Sequence, residues 1–223
     1  MTDATSLPVR TGPHATRAPV VAGTPLTQAS HALVLMHGRG GTAEGMLPIA
    51  RAAKALDAAL MAPVAEGNSW YPQRFLAPVA DNEPWLSSAL GSVESAVAEA
   101  RAAGIASERI LLVGFSQGAC LTLEFAARQA AHGVRFGGVA ALAGALIGDH
   151  AVPRHDHGSL HGTPVLLACG TADAHIPEGH VRRSAQIFEA LGAAVDLRLY
   201  PDVGHDIVGD QIAALTAMVA AIA

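Results

Sequence analysis

Apolar runs of strand length alternate along this chain with longer amphipathic stretches, and no other feature restricts its fold as much. The runs are Ala32–Met36, Ala59–Ala62, Ile110–Phe115, Gly138–Leu142, 165–169 and 195–200. A strand with one face in water alternates apolar and polar side chains, whereas a strand covered on both faces has no need of the polar positions; most of these runs lack them. Between the runs a helical spacing takes over. Leu86, Leu90, Val93 and Val97 recur on one helix face, behind the start signals Asn82 and Pro84 and ahead of the stop signal Gly104. Val181, Ala185, Phe188 and Leu191 repeat that pattern before Gly192, and Ile212, Leu215, Val219 and Ile222 form a last one. Further helices are expected at 43–56 and 117–132. Strand then helix, repeated, predicts the α/β class: a mostly parallel central sheet with helices on both faces. No internal repeat or linker interrupts the pattern, so residues 31–223 read as a single domain. Residues 1–30, rich in Thr, Pro, Ala and Gly, read as an irregular arm with an edge strand expected around 19–22.

Composition removes several function classes. The 223 residues are enough to bury one sizeable core. At 51% hydrophobic and 15% charged the chain is too apolar for intrinsic disorder, yet no run approaches the roughly 18 to 20 apolar residues of a membrane span. Integral membrane association is therefore not expected. With 14 Lys plus Arg against 19 Asp plus Glu, no basic stripe is available to release phosphate counterions, and 4% aromatic content offers no base-stacking platform. Nucleic acid is not an expected partner. Cys120 and Cys169 each sit inside an apolar run and make no disulfide framework, and no charged leader precedes an apolar segment near residue 1. The expected location is the cytoplasm, with reduced thiols.

The five residues Gly114-Phe115-Ser116-Gln117-Gly118 follow directly on a strand candidate and open a helical pattern. Strand, tight turn and helix are the context of a nucleophile elbow, in which the glycines leave room for a serine held in a strained conformation. A serine hydroxyl is a weak nucleophile until a base takes its proton, so a His and an acid are required further along. Asp173 lies just past the 165–169 strand and His205 just past the 195–200 strand, where open parallel sheets meet their ligands. The expected roles are Ser116 as nucleophile, His205 as general base and then acid, and Asp173 as the group that orients the imidazole. Asp149, Asp156, Asp196, Asp202 and Asp206 rank behind Asp173, Asp206 as a candidate cap of the last helix. An oxyanion needs two donors. The Gln117 backbone N–H at the helix start and the Arg39 backbone N–H in Met36-His37-Gly38-Arg39-Gly40-Gly41 are the candidates, with His37 orienting that loop.

Taken in order, His37-Gly38-x-Gly40-Gly41, Gly114-Phe115-Ser116-Gln117-Gly118, Gly170-Thr171-x-Asp173-x-x-Ile176-Pro177 and Gly204-His205 resemble the phospholipase/carboxylesterase family of α/β-hydrolases, which includes the acyl-protein thioesterases. The resemblance runs from about residue 31 onward. It implies an α/β-hydrolase fold and a cofactor-free serine esterase using Ser116, Asp173 and His205. It departs from the eukaryotic thioesterases, which usually have Leu-Gly-Asp where Arg39-Gly40-Gly41 stands, and so points toward the bacterial esterase branch. Lysophospholipase and thioesterase activities remain alternatives within the family. A dienelactone hydrolase would need a Cys where Ser116 stands.

Both tryptophans fall within residues 70–85, together with Tyr71 and Phe75. Trp70, Tyr71 and Phe75, beyond the end of a strand, are expected to line the substrate pocket, whereas Trp85 at a helix start reads as packing. Arg74 is a candidate for a substrate anion or for an ordinary surface ion pair. Of 11 histidines, His150, His155, His157 and His161 crowd one stretch with Asp149 and Asp156. A metal-dependent hydrolase built there is the rival from another class, although helical ligand spacing is missing and no metal is expected. A noncatalytic binding protein of the same fold is the second rival. The expected partner is a small-molecule ester, and a homodimer remains an open alternative.

Overall fold

The computed structural model describes residues 10–149 and 152–223. Its strands are β1 (Val20–Gly23), β2 (Ala32–Met36), β3 (Ala59–Ala62), β4 (Ile110–Phe115), β5 (Gly138–Leu142), β6 (Pro164–Gly170) and β7 (Ala194–Tyr200). They lie side by side in the order β1-β3-β2-β4-β5-β6-β7. The pairings from β3 to β7 are all parallel; β1 runs antiparallel to β3 and closes that edge. The helices are α1 (Ala43–Ala52), α2 (Trp85–Ala102), α3 (Gln117–Gln129), α4 (Glu178–Ala190) and α5 (Gly209–Ile222). This is the α/β-hydrolase architecture. Every residue of β2, β3 and β5 is buried, which is what their unbroken apolar sequence required.

Successive strand residues feed two separate cores. Val34, Met61, Leu112, Val139 and Leu167 point into one, packed with the apolar faces of α2, α3 and α4. Leu33, Leu60, Leu111, Ala140 and Leu166 point into the other, under α1 and α5. Each parallel crossover therefore buries its helix on one face or the other; the inner strands are sealed from water on both, while the outer strands β1 and β7 keep residues at the surface.

Two helix ends differ from the pattern in the sequence. α1 stops at Ala52 rather than at residue 56, because Lys54 takes a left-handed φ of 59° and the Ala55 N–H turns back to the Ala50 carbonyl. Glycine usually marks such an ending, and here a lysine does the same work. The last helix begins at Gly209, so Asp206 is not its cap: its carboxylate accepts from the Ile207 N–H, ahead of the Val208 N-cap. Among the described residues no helix is long and apolar enough to cross a membrane.

Candidate active site

Parallel pairing sets the strand ends level. Met36 pairs with Gly114, Gly114 with Ala141 and Cys169 with Leu199, so the loops after β2, β4, β6 and β7 open on one edge of the sheet. Ser116 stands at the β4–α3 junction with φ 55° and ψ −120°, a conformation costly for any residue but glycine. Its surroundings over-determine it. The Ser116 N–H donates to the Leu142 carbonyl, and a Cβ on Gly114 or Gly118 would come within 2.3 Å of backbone oxygen or closer. Only glycine permits β4, α3 and the end of β2 to approach so closely.

Beside Ser116, the sheet edge brings together the His and acid from the two later strands. Ser116 Oγ lies 2.8 Å from His205 Nε2, and His205 Nδ1 lies 2.6 Å from Asp173 Oδ2. These partners assign the proton on Nδ1 and leave the Nε2 lone pair facing the hydroxyl. Asp173 has little freedom: its Oδ1 accepts from the His175 and Ile176 N–H groups at 2.8 and 3.0 Å. Burial works against that carboxylate, but the bonds from His205 and from those two N–H groups outweigh it and hold its pKa below the ordinary value. The His205 ring is gripped between Phe115 and His175, at centroid distances of 5.2 and 4.9 Å.

The backbone N–H groups of Arg39 and Gln117 have no acceptor among the described residues. Gly40 N–H, next to Arg39, donates to the Asn68 carbonyl and fixes the loop after β2. The side chains of the same two residues have a further use that the sequence did not reveal. The Arg39 guanidinium donates to the carbonyls of Tyr71, Pro72 and Gln73, and the Gln117 amide accepts from Trp70 N–H while donating to the Tyr71 carbonyl. Both staple the 69–73 segment across the two donor positions. Asn82, read as a helix signal, is fully buried and accepts from the Gln73 N–H.

A cleft of about 470 Å³ opens over Ser116. Tyr71 and Phe75 line it, with His175, Ile176, Arg39 and Arg74. Trp70 does not, and that expectation is corrected: the indole is completely buried behind the loop, where its Nε1–H donates to the His37 carbonyl at 2.7 Å. An aromatic ring that finds a backbone acceptor becomes part of the scaffold. Arg74 forms no ion pair among the described residues, and no acidic side chain lines the cleft. Cys120 also lines it, but burial pushes its thiol up to about 12, so it stays protonated.

Elsewhere, the His-rich segment is organised by charge. The Asp156 carboxylate receives both arms of Arg154, which also reaches Glu124 and the Ile147 carbonyl. His150 lies outside the described residues. Among the described ones, no three His, Cys, Asp or Glu side chains converge as a metal site would require.

Comparison with known proteins identifies the family. The family model described as Phospholipase/Carboxylesterase matches residues 18–222. A solved phospholipase/carboxylesterase from Dyadobacter fermentans is 39% identical, with a TM-score of 0.87 over 95% of this chain and 99% of that one. Among curated proteins, acyl-protein thioesterase 1 of Yarrowia lipolytica is 33% identical over 119 residues, and that of Saccharomyces cerevisiae is 27% identical over 134. The matches take in 52% and 59% of this chain respectively; it spans 51% and 58% of those two relatives, little more than half their length.

Proposed function

The chain belongs to the phospholipase/carboxylesterase family, and from that premise we propose that it is a serine carboxylesterase acting on small to medium carboxylic esters. The observation that carries this reading is the unbroken line of contacts Ser116–His205–Asp173, with Ser116 and His205 lining the cleft. In the first half-reaction Ser116 Oγ attacks the ester carbonyl carbon while its proton passes to His205 Nε2. The carbonyl electron pair moves onto oxygen, which faces the Arg39 and Gln117 N–H groups; one such donor supplies about 2.7 to 4 kcal/mol of transition-state stabilisation. As the tetrahedral species collapses, the C–O bond to the alcohol breaks and His205 protonates the leaving alkoxide. Water then enters, gives a proton to His205, attacks the acyl carbon and releases the acid, with the proton returning to Ser116. Asp173 stays ionised throughout and stabilises the imidazolium.

A cleft of about 470 Å³ suits an ester with a modest acyl and alcohol portion. Two arginines without carboxylate neighbours in the lining favour a substrate bearing an anionic group over a cationic one. An organophosphonate probe tests the chemistry: it should label the wild type and not Ser116→Ala, and equal labelling of both would remove the assignment. A p-nitrophenyl ester series tests the size, with kcat/KM expected to peak at short to medium acyl chains; a maximum only at long chains would contradict it. Chelator-sensitive turnover restored by metal would favour the metal-dependent rival instead.

A further inference from the structure

We infer that His14, in the segment ahead of β1, is a positioning residue for the oxyanion side of the site. This rests on the esterase reading above. His14 is completely buried although most of its chain neighbours are exposed. Its Nδ1 lies 2.9 Å from the Glu66 N–H and its Nε2 lies 3.0 Å from the Trp70 carbonyl. An N–H can only donate and a carbonyl can only accept, so the ring is held neutral, with its single proton on Nε2.

His37 repeats the arrangement one residue earlier. Its Nε2 accepts from the Ala65 N–H at 3.4 Å and its Nδ1 donates to the Gly38 carbonyl at 2.8 Å. Two buried imidazoles thus take the consecutive N–H groups of Ala65 and Glu66, with Trp70 against both, at ring-centroid distances of 4.8 Å from His37 and 5.6 Å from His14. From there the contacts lead to each donor position. Asn68 accepts from Gly40 N–H, beside the Arg39 donor, and the Trp70 N–H meets the Gln117 side chain. The arm is itself latched to α2: His14 N–H donates to Ser88 Oγ, and that hydroxyl donates to the Thr11 carbonyl.

Removing the imidazole leaves the buried Trp70 carbonyl and the part-buried Glu66 N–H without their partner, and the 66–70 segment must shift to recover one. His14 touches no reacting atom. It acts through the Arg39 and Gln117 donor positions, so its removal is felt where the oxyanion exists, in the tetrahedral species and the transition states on either side of it.

Two variants and two readouts test this. His14→Ala should lower kcat by about tenfold to a hundredfold with KM little changed, the scale expected when a group is displaced by about 1 Å. Affinity for an alkyl boronic acid, which forms a tetrahedral adduct on Ser116, should fall by the same factor. His14→Gln, which keeps one donor and one acceptor, should recover part of both. Ser88→Ala, which loosens the latch from outside the site, should show a smaller loss of the same kind and covers the case in which His14→Ala does not fold. Folded variants that lose only thermal stability, with wild-type kcat and boronate affinity, would overturn the inference. Phosphonate labelling of the wild type separates the two levels: a labelled wild type with unaffected variants overturns the role of His14 alone, and an unlabelled wild type overturns the esterase reading and this role with it.

Discussion

On the β6–β7 side of the cleft His205 lies between a carboxylate and a hydroxyl, with 21% of its side chain exposed. On the β2 side His37 and His14 are buried between backbone N–H and C=O groups, with no carboxylate in contact. The same ring is suited to opposite tasks by its partners. A carboxylate stabilises the imidazolium and a hydroxyl supplies its proton, so His205 can cycle. A backbone N–H tolerates no second donor, so protonating His14 or His37 would break the bond that holds the loop. On the proposed esterase chemistry one side of the site moves a proton, and the other is held fixed by bonds that leave its protons no second place to go.

Substitutions on the mobile side should be the most severe. Ser116→Ala or His205→Gln should cost about 10⁵- to 10⁶-fold in kcat, the scale seen when a triad member is lost, with the fold intact by circular dichroism. Asp173→Asn should follow at about 10⁴-fold, because the imidazole then adopts the wrong tautomer. Steady-state kinetics on an activated ester checks both, and near-wild-type turnover in either would dissolve the contrast. On the fixed side, Trp70→Phe keeps most of the ring but strands the His37 carbonyl. It should cost about 1 to 3 kcal/mol in urea unfolding, with a smaller loss of kcat than Asp173→Asn.

The two sides also differ in how their contribution to stability depends on pH. Burial holds His14 and His37 below the ordinary value of 6.5, so the unfolded chain takes those protons first. Their contribution is complete above 6.5 and is lost as pH falls from 6.5 toward their folded values. The charges facing them are Glu66, which is paired with Arg17, and Glu44 near His37. Asp173 is held below 3.8 and loses its contribution only as pH falls past that value. The melting temperature should therefore decline in two stages, and His14→Gln should make the first shallower, the remainder coming from His37 and from His31 and His180, which burial also holds below 6.5. A melting temperature constant from about pH 7 to 5 would contradict the locked-histidine account. The smallest effect belongs to the rim: Arg74→Gln should reduce the preference for a hemisuccinate ester over a neutral ester of equal length by a few fold, since an exposed charge contributes about 1 kcal/mol or less.

How much of this was legible in the sequence depended on whether the signal was local. Strands buried on both faces announce themselves as unbroken apolar runs, which is why Ala32–Met36 and Ile110–Phe115 have the limits their composition suggests. The loops carrying Ser116, Asp173 and His205 were legible as strand ends, and the fold brings those side chains within hydrogen-bond distance. Trp70 misled because a ring beyond a strand end reads as pocket lining until its Nε1–H partner is known. His14 gave no signal at all: its partners are 52 and 56 residues away and are backbone atoms, which carry no residue identity. The side chains of Arg39 and Gln117 were hidden in the same way, bonded to carbonyls of a distant loop.

The central claim is that Ser116 carries the acyl group between two half-reactions. Rapid acid quench of the wild type mixed with p-nitrophenyl acetate, followed by peptide mass spectrometry, tests it most directly. A burst of about one nitrophenolate per chain is expected, with an acetyl mass on the peptide containing Ser116 that is absent in Ser116→Ala. Steady turnover with no burst and no adduct on Ser116 would contradict it.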